Sequence, residues 1–285
     1  ANNHMMDWGP EGLNTTMRAL ETLGISFVGA GRNIDAASAA HTFVIRDISF
    51  ALIAAAKPFC SATEHKPGIR PIDAVSLYSD TRTLKQRGVD HVIVALHWGV
   101  EYSRYPSPAD MEMAHELIRA GASLVLGHHP HTLQGIESME NGLIAFSLGN
   151  FVMDMKLDDP PDEESWRLAH RSMILEVDFT KTGIESYRTV PVQINEHMRT
   201  VLPDSATSAQ IGDDIRYLSD TISGEAFYRQ AYSNLQDRSR SAWKRKIQEH
   251  GVRAIFLFFK TLKFRHVKMI SLHYYYKMKQ LIRRA

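Results

Sequence analysis

The 285-residue sequence predicts an α/β fold. Two observations carry the expectation. Apolar runs of strand length alternate with amphipathic helices as far as residue 131, and two alternating runs at 173 to 179 and 184 to 192 flank Thr180-Lys181-Thr182-Gly183 as an antiparallel hairpin should. Strand, helix, strand is the parallel crossover signature, so two packed sheets flanked by helices are expected. A chain of this length buries a large core without staples, and the single Cys60 excludes an intramolecular disulfide framework.

Each element has a local reason. Residues 10 to 23 place Leu13, Met17, Leu20 and Leu23 at helical spacing, and Gly24 stops the run. Residues 25 to 28 then read as a strand. The Val, Ile, Phe and Ala of residues 44 to 55 fit one or two buried strands, while two prolines and a glycine make residues 57 to 70 a loop bordering the site. A polar helix over 79 to 87, closed by Gly88, leads to a strand at 91 to 96 that runs straight into His97. Residues 109 to 120 form a second helix, with Met113, Ala114, Leu117 and Ile118 on one side and Asp110, Glu112, Glu116 and Arg119 on the other. Gly121 ends it, and residues 123 to 126 and 143 to 148 are further strands. Residues 154 to 164, with Pro160-Pro161 and six acids, read as a solvated loop, and 201 to 225 as a loosely ordered linker with helical patches.

Charge divides the chain. Residues 1 to 225 carry 18 Lys+Arg against 30 Asp+Glu, whereas 226 to 285 carry 15 against 2. The expected organisation is a domain over 1 to 200, the linker, and a basic helical tail over 226 to 285. The tail interleaves basic and aromatic residues, as in Trp243-Lys244-Arg245-Lys246 and Tyr274-Tyr275-Tyr276-Lys277. It suits an anionic membrane surface or the acidic face of the preceding domain. Nucleic acid is the weaker partner, because no nucleic-acid motif accompanies the charge. No apolar run reaches the ~20 residues of a transmembrane helix.

Chemistry concentrates in four short blocks: Ala1-Asn2-Asn3-His4, Leu96-His97-Trp98-Gly99, Gly127-His128-His129-Pro130-His131 and Ser147-Leu148-Gly149-Asn150-Phe151. Imidazole nitrogens and amide oxygens suit first-row divalent metals, and a nearly thiol-free chain argues against a zinc ribbon or iron-sulfur cluster. Parallel crossovers gather functional groups beyond the carboxyl ends of their strands, where His97 and the 127 to 131 cluster both lie. In an extended loop, residues 129 and 131 project alike, with Pro130 fixing the backbone between them.

Together with Gly29-Ala30-Gly31 and Asn33, with His97-Trp98-Gly99-Val100-Glu101-Tyr102, and with Gly121-Ala122, these blocks resemble the bacterial capsule-synthesis proteins of the CapA or poly-γ-glutamate type. These are relatives of the calcineurin-like metallophosphoesterases, and the match covers about residues 1 to 155 in the family's order. The resemblance implies a four-layer α/β/β/α sandwich with divalent ions (Mn, Fe or Zn) at strand ends. It implies Asn3, His97, His129 and His131 as metal ligands and His4 as the residue that protonates the leaving group. Two further ligand blocks of the family, a Gly-Asp and an Asn-x-Glu, lie upstream of the position matched by Ala1. The chain therefore carries at most half of a two-metal site and reads either as a fragment of a longer protein or as one that has lost metal binding. An anchor upstream would make the protein membrane-associated or extracytoplasmic, and without one a cytoplasmic location is expected.

Four residues around these have open roles. Asp7 either orients His4 or caps the following helix, and Glu101 either supports His97, faces substrate, or is a solvated carboxylate. His128 points away from its neighbour His129, in a supporting or packing role, and Asn150 either closes the site or merely makes its turn. Trp98 and Tyr102 wall the pocket or fill the core. Two functions follow: a metal-dependent phosphoesterase-like hydrolase, or a component of capsule or polyglutamate assembly that handles polymer without turnover. In either case the partners are the polymer and its assembly machinery.

Overall fold

The structure, a computed structural model, describes residues 1–57, 60–153 and 162–222. The basic tail with its membrane and nucleic-acid expectations, and most of the acidic loop before Asp162, lie outside the described residues.

The chain opens with helix α1 (Gly9–Thr22), whose Leu13 and Met17 are buried beside Ile69 and Ala56. Strand β1 (Ala30–Gly31), helix α2 (Ile34–Ser38), strands β2 (His41–Ile45) and β3 (Ile48–Ala56), and the short β4 (Gly68–Ile69) follow. Residues 25 to 28 are not a strand. The extended pairing instead begins at Ala30, which faces Ile69 of β4, and Ile25 stays half exposed with no ladder to join.

Two crossovers build the framework. Helix α3 (Ala74–Gln86) links β3 to β5 (His91–His97), and α4 (Pro108–Arg119) links β5 to β6 (Ala122–His128). All three strands are parallel neighbours, with Ala56 opposite His97 and His97 opposite His128. Both crossovers advance in the same direction across the sheet, and the right-handed rule therefore puts α3 and α4 on one face. Helix α3 begins earlier than residue 79 because Asp73 caps it, accepting from the Ser76 amide at 3.0 Å, and Leu77 is fully buried. Helix α4 starts in a capping box formed by Ser107 and Asp110.

The sheet is completed by β8 (Gly142–Ala145), parallel to β6, and by β7 (Ile136–Met139), antiparallel to β8 at the edge. Its order is β2-β3-β5-β6-β8-β7. Strand β7 had no sequence expectation, since four residues carry too little periodicity to stand out from a loop.

After α5 (Glu163–Ala169) the chain forms the expected hairpin, β9 (Arg171–Phe179) with β10 (Ile184–Ile194), and β11 (Thr200–Val201) pairs with β10. This second sheet packs on the opposite face of the first. His91 and Phe50 of β5 and β3 both meet Phe179, and the His91 Nε2 lies 2.6 Å from the Thr180 carbonyl. Alternation along β5 sends Val92, Val94 and Leu96 the other way, into the same core as Leu77 and Leu117 of the helices. The layers are thus helices, six-stranded sheet, then three-stranded sheet, with α6 (Ser205–Thr221) packed on β10 and β7.

Helix α6 corrects the expectation of a loose linker. Asp204 caps it, and Ile211, Ile215 and Leu218 are buried at helical spacing in the main core. The segment is part of the fold.

One ion pair ties α3 to the site's supporting loop. The buried Arg70 meets the Asp80 carboxylate and also donates to the Ser38 carbonyl at 3.3 Å. Asp80→Ala leaves that guanidinium inside without its counter-charge, and because Asp80 is itself partly exposed the expected loss is about 1 to 3 kcal/mol. A lowered urea midpoint at unchanged slope is the expected readout.

Candidate metal centre

The ends of β3, β5 and β6 deliver the site. Parallel pairing aligns His97 and His128, and the chain then turns sharply in both connections: Gly99 and Tyr102 after β5, and His129 and His131 after β6, all have positive φ. The two loops are laced together by the Tyr102 amide, which donates to the Pro130 carbonyl at 2.6 Å. His129 and His131 converge by a route other than extended alternation. Left-handed backbone at φ 97° and 61°, on either side of Pro130, brings their rings to 6.0 Å. Strained non-glycine backbone of this kind persists only where surrounding contacts over-determine it.

The donors form one contiguous group. One ligand atom each from Glu101, His129 and His131 lies within 4.8 Å of the others. His97 and His129 rings stand 4.7 Å apart, and the Nε2 of His97 lies 2.8 Å from Asn3 Oδ1. The expected ligand residues Asn3, His97, His129 and His131 are therefore neighbours. Glu101, expected from the sequence to support His97, face substrate or stay solvated, adds a carboxylate to this group.

Supporting bonds orient the rings. Asn150 is buried; its Oδ1 lies 2.8 Å from His131 Nδ1, and its Nδ2 donates to the Ala169 carbonyl at 3.0 Å. With Nδ1 engaged, His131 presents Nε2 to the group, the usual way a ligating imidazole is held. Asp7 accepts from His4 Nδ1 at 2.8 Å, and His4 Nε2 lies 3.3 Å from Asn3 Nδ2. Asp7 is therefore the orienting partner of His4, and the N-cap position of α1 is Trp8, which makes no side-chain capping bond. His128 contributes its carbonyl to the Trp98 amide at 2.9 Å. Trp98 is core, its indole N–H donating to the Phe146 carbonyl at 3.0 Å.

Two features test whether these residues fit a divalent ion. His129 Nδ1 is buried and has no hydrogen-bond partner among the described residues, an unusual expense for a polar atom unless something binds it. The rings of His97 and His129 are also held neutral. Burial first, then the neighbouring His129, His128 and His131, lowers the pKa of His97 to about 3, and burial with Lys57 and His131 lowers that of His129 to about 4. Neutral imidazoles, an amide and one carboxylate are the donors a borderline dication takes, so the set fits.

The depressed values set a pH dependence for the apo-protein. Between about pH 4 and the ordinary 6.5 the unfolded chain binds protons at these histidines that the folded chain refuses. Stability therefore falls as pH drops from 7 toward 4, and thermal melts of chelator-treated protein across that window check it.

Lys57 is the residue sequence reasoning passed over. It lies in the loop expected to border the site, with nothing in the local pattern to single it out, and its ammonium donates to the Gly99 carbonyl.

A convergent set of imidazole, amide and carboxylate donors at parallel strand ends defines an α/β protein with a candidate divalent-metal centre. Residues 1–155 match the family described as bacterial capsule synthesis protein PGA_cap, and the chain belongs to that family. It is 31% identical over 202 residues to the capsule biosynthesis protein CapA of Bacillus anthracis, covering 69% of this chain and 47% of that one. It is 29% identical over 201 residues to the PGA biosynthesis protein CapA of Bacillus subtilis (strain 168), covering 69% and 50%. The chain thus spans about half the length of these curated relatives. Among solved structures, a 5'-nucleotidase precursor from Thermus thermophilus aligns at 15% identity over 76% of this chain and 42% of that one, with a TM-score of 0.45.

Proposed function

We propose that this protein is a metal-dependent hydrolase of a phosphoester or related bond that serves capsule or polyglutamate synthesis. The observation that carries the reading is the convergence of Glu101, His129 and His131 with the Asn3–His97 pair, together with a buried His129 nitrogen that no described protein group satisfies. The names of the Bacillus relatives support the biological setting and its partners, the polymer and its assembly machinery.

Glu101, His129, His131, His97 and Asn3 would hold the ion, which is manganese, iron or zinc by donor type. A divalent metal supplies Lewis acidity toward a phosphoryl oxygen and makes water a nucleophile at neutral pH. The remaining steps belong to the protein. Asp7 fixes the ring of His4 through Nδ1, which leaves Nε2 as the atom that would hand a proton to the leaving oxygen once the ring has taken one up from solvent. Asn150 keeps His131 in the tautomer that presents Nε2. The left-handed turns at His129 and His131 fix both rings before any ligand arrives, so little reorganisation is left for binding.

The test is hydrolysis of bis-p-nitrophenyl phosphate by the purified chain with added Mn²⁺, with and without a chelator. The expected result is a metal-dependent rate that His131→Ala abolishes. Bound metal without turnover on phosphoesters overturns the hydrolase and leaves a polymer-handling role in assembly. Asn150→Ala, which frees the His131 ring without removing a ligand, is expected to weaken metal affinity about 10- to 100-fold in a chelator-competition titration.

A further inference from the structure

We propose that Lys57 binds an anionic oxygen of the ligand at the metal centre, so that the site selects phosphate-like groups carrying negative charge beyond what the metal engages. The inference rests on the metal-centre reading above and names a specificity residue for it.

The lysine is delivered by the framework rather than by a flexible tether. It follows the last residue of β3, and its amide donates to the His97 carbonyl at 3.0 Å, which fixes it at the strand ends where the imidazoles gather. Its side chain is half-buried and turns to the carbonyl of Gly99, within the connection that carries Glu101. An ammonium has three donors, and Gly99 takes one. Among the described residues it forms no ion pair, although its charge acts on Glu101, Asp110 and His129.

Neither nearby carboxylate forms an ion pair with it among the described residues. Asp110 closes the capping box of α4, receiving the Ser107 hydroxyl at 2.6 Å and the Ser107 amide at 3.2 Å. Glu101 is grouped with His129 and His131. When an ion takes the charge of Glu101, the ammonium loses part of the attraction that offsets its burial, and it sits beside the cluster with donors to spare. An anion held at the centre would give the ammonium a counter-charge, whereas a neutral ligand would leave a partly desolvated cation uncompensated.

A purely structural lysine would brace the Gly99 turn and do nothing else, so the test separates the two roles. Inorganic phosphate is titrated calorimetrically into the Mn²⁺-loaded full chain of wild type, Lys57→Met and Lys57→Arg, with metal content measured in parallel. The expected outcome is equal metal content in all three, phosphate affinity lowered about tenfold or more in Lys57→Met, and recovery of most of it in Lys57→Arg. Wild-type phosphate affinity in Lys57→Met at equal metal content overturns the proposal and leaves the metal-centre reading standing. Loss of metal from Lys57→Met alone assigns the residue to bracing the Glu101 connection and also overturns it. Failure of wild type itself to take up metal removes both readings.

Discussion

His129→Leu is expected to lower metal affinity by at least about a hundredfold while leaving the apo-protein as stable as wild type or more so. The two halves of this result have a common cause. The Nδ1 of His129 is buried without a partner among the described residues, so the folded apo-protein carries a desolvated polar atom that contributes nothing to holding the fold together. Removing such a group relieves a penalty of about 1 to 3 kcal/mol, and an apolar side chain of similar reach keeps the space filled. A ligand loss, in contrast, exceeds the 10- to 100-fold effect ordinarily seen when only an orienting partner is removed. Metal analysis after dialysis and a denaturant titration of the apo-protein read the two halves separately. A variant that binds metal like wild type but unfolds more easily would assign His129 to packing and sink the metal centre as drawn.

Gly127→Ala should be the most damaging small substitution in the domain. Gly127 lies in β6, opposite Leu96 of β5, where the backbone of residue 146 crosses close by. An added Cβ would be driven into the Phe146 carbonyl and would stand 2.5 Å from the indole nitrogen of Trp98. Neither neighbour has room to give. The Phe146 carbonyl accepts the Trp98 N–H at 3.0 Å, and both rings are buried. A methyl group here therefore either breaks that hydrogen bond inside the core or separates β6 from the following chain. The expected cost is about 4 kcal/mol or more, at the upper end for single substitutions, seen as insoluble expression or a collapsed urea midpoint. Gly183→Ala, at an open position of the β9–β10 hairpin where a Cβ meets nothing within 4 Å, is the matched control.

How much of this was legible beforehand follows from the range over which each feature is encoded. Strand β5 running into His97, helix α4 with its apolar side and Gly121 stop, and the hairpin around Thr180 to Gly183 are local, because a period of two or 3.6 residues and a turn residue are written in consecutive positions. The register of parallel strands then does the rest for His97, His128 and the residues just beyond them. Helix α6 was hidden for the opposite reason. Its three buried residues look like helical patches until a second sheet and the edge strand β7 supply the surface they cover.

By itself the sequence determined that this is an α/β domain with nitrogen and oxygen donors at strand ends, and its ordered motifs pointed to the capsule-synthesis family that the family match then established. Only the tertiary structure decided which groups meet. It paired Asp7 with His4 instead of with the helix, turned His129 and His131 together through left-handed backbone, joined Glu101 to them, and brought Lys57 against Gly99 across 42 positions of chain. Periodicity is a property of neighbours along the chain, whereas a site is a property of neighbours in space, and the crossovers that convert one into the other leave no mark on the individual residues they bring together.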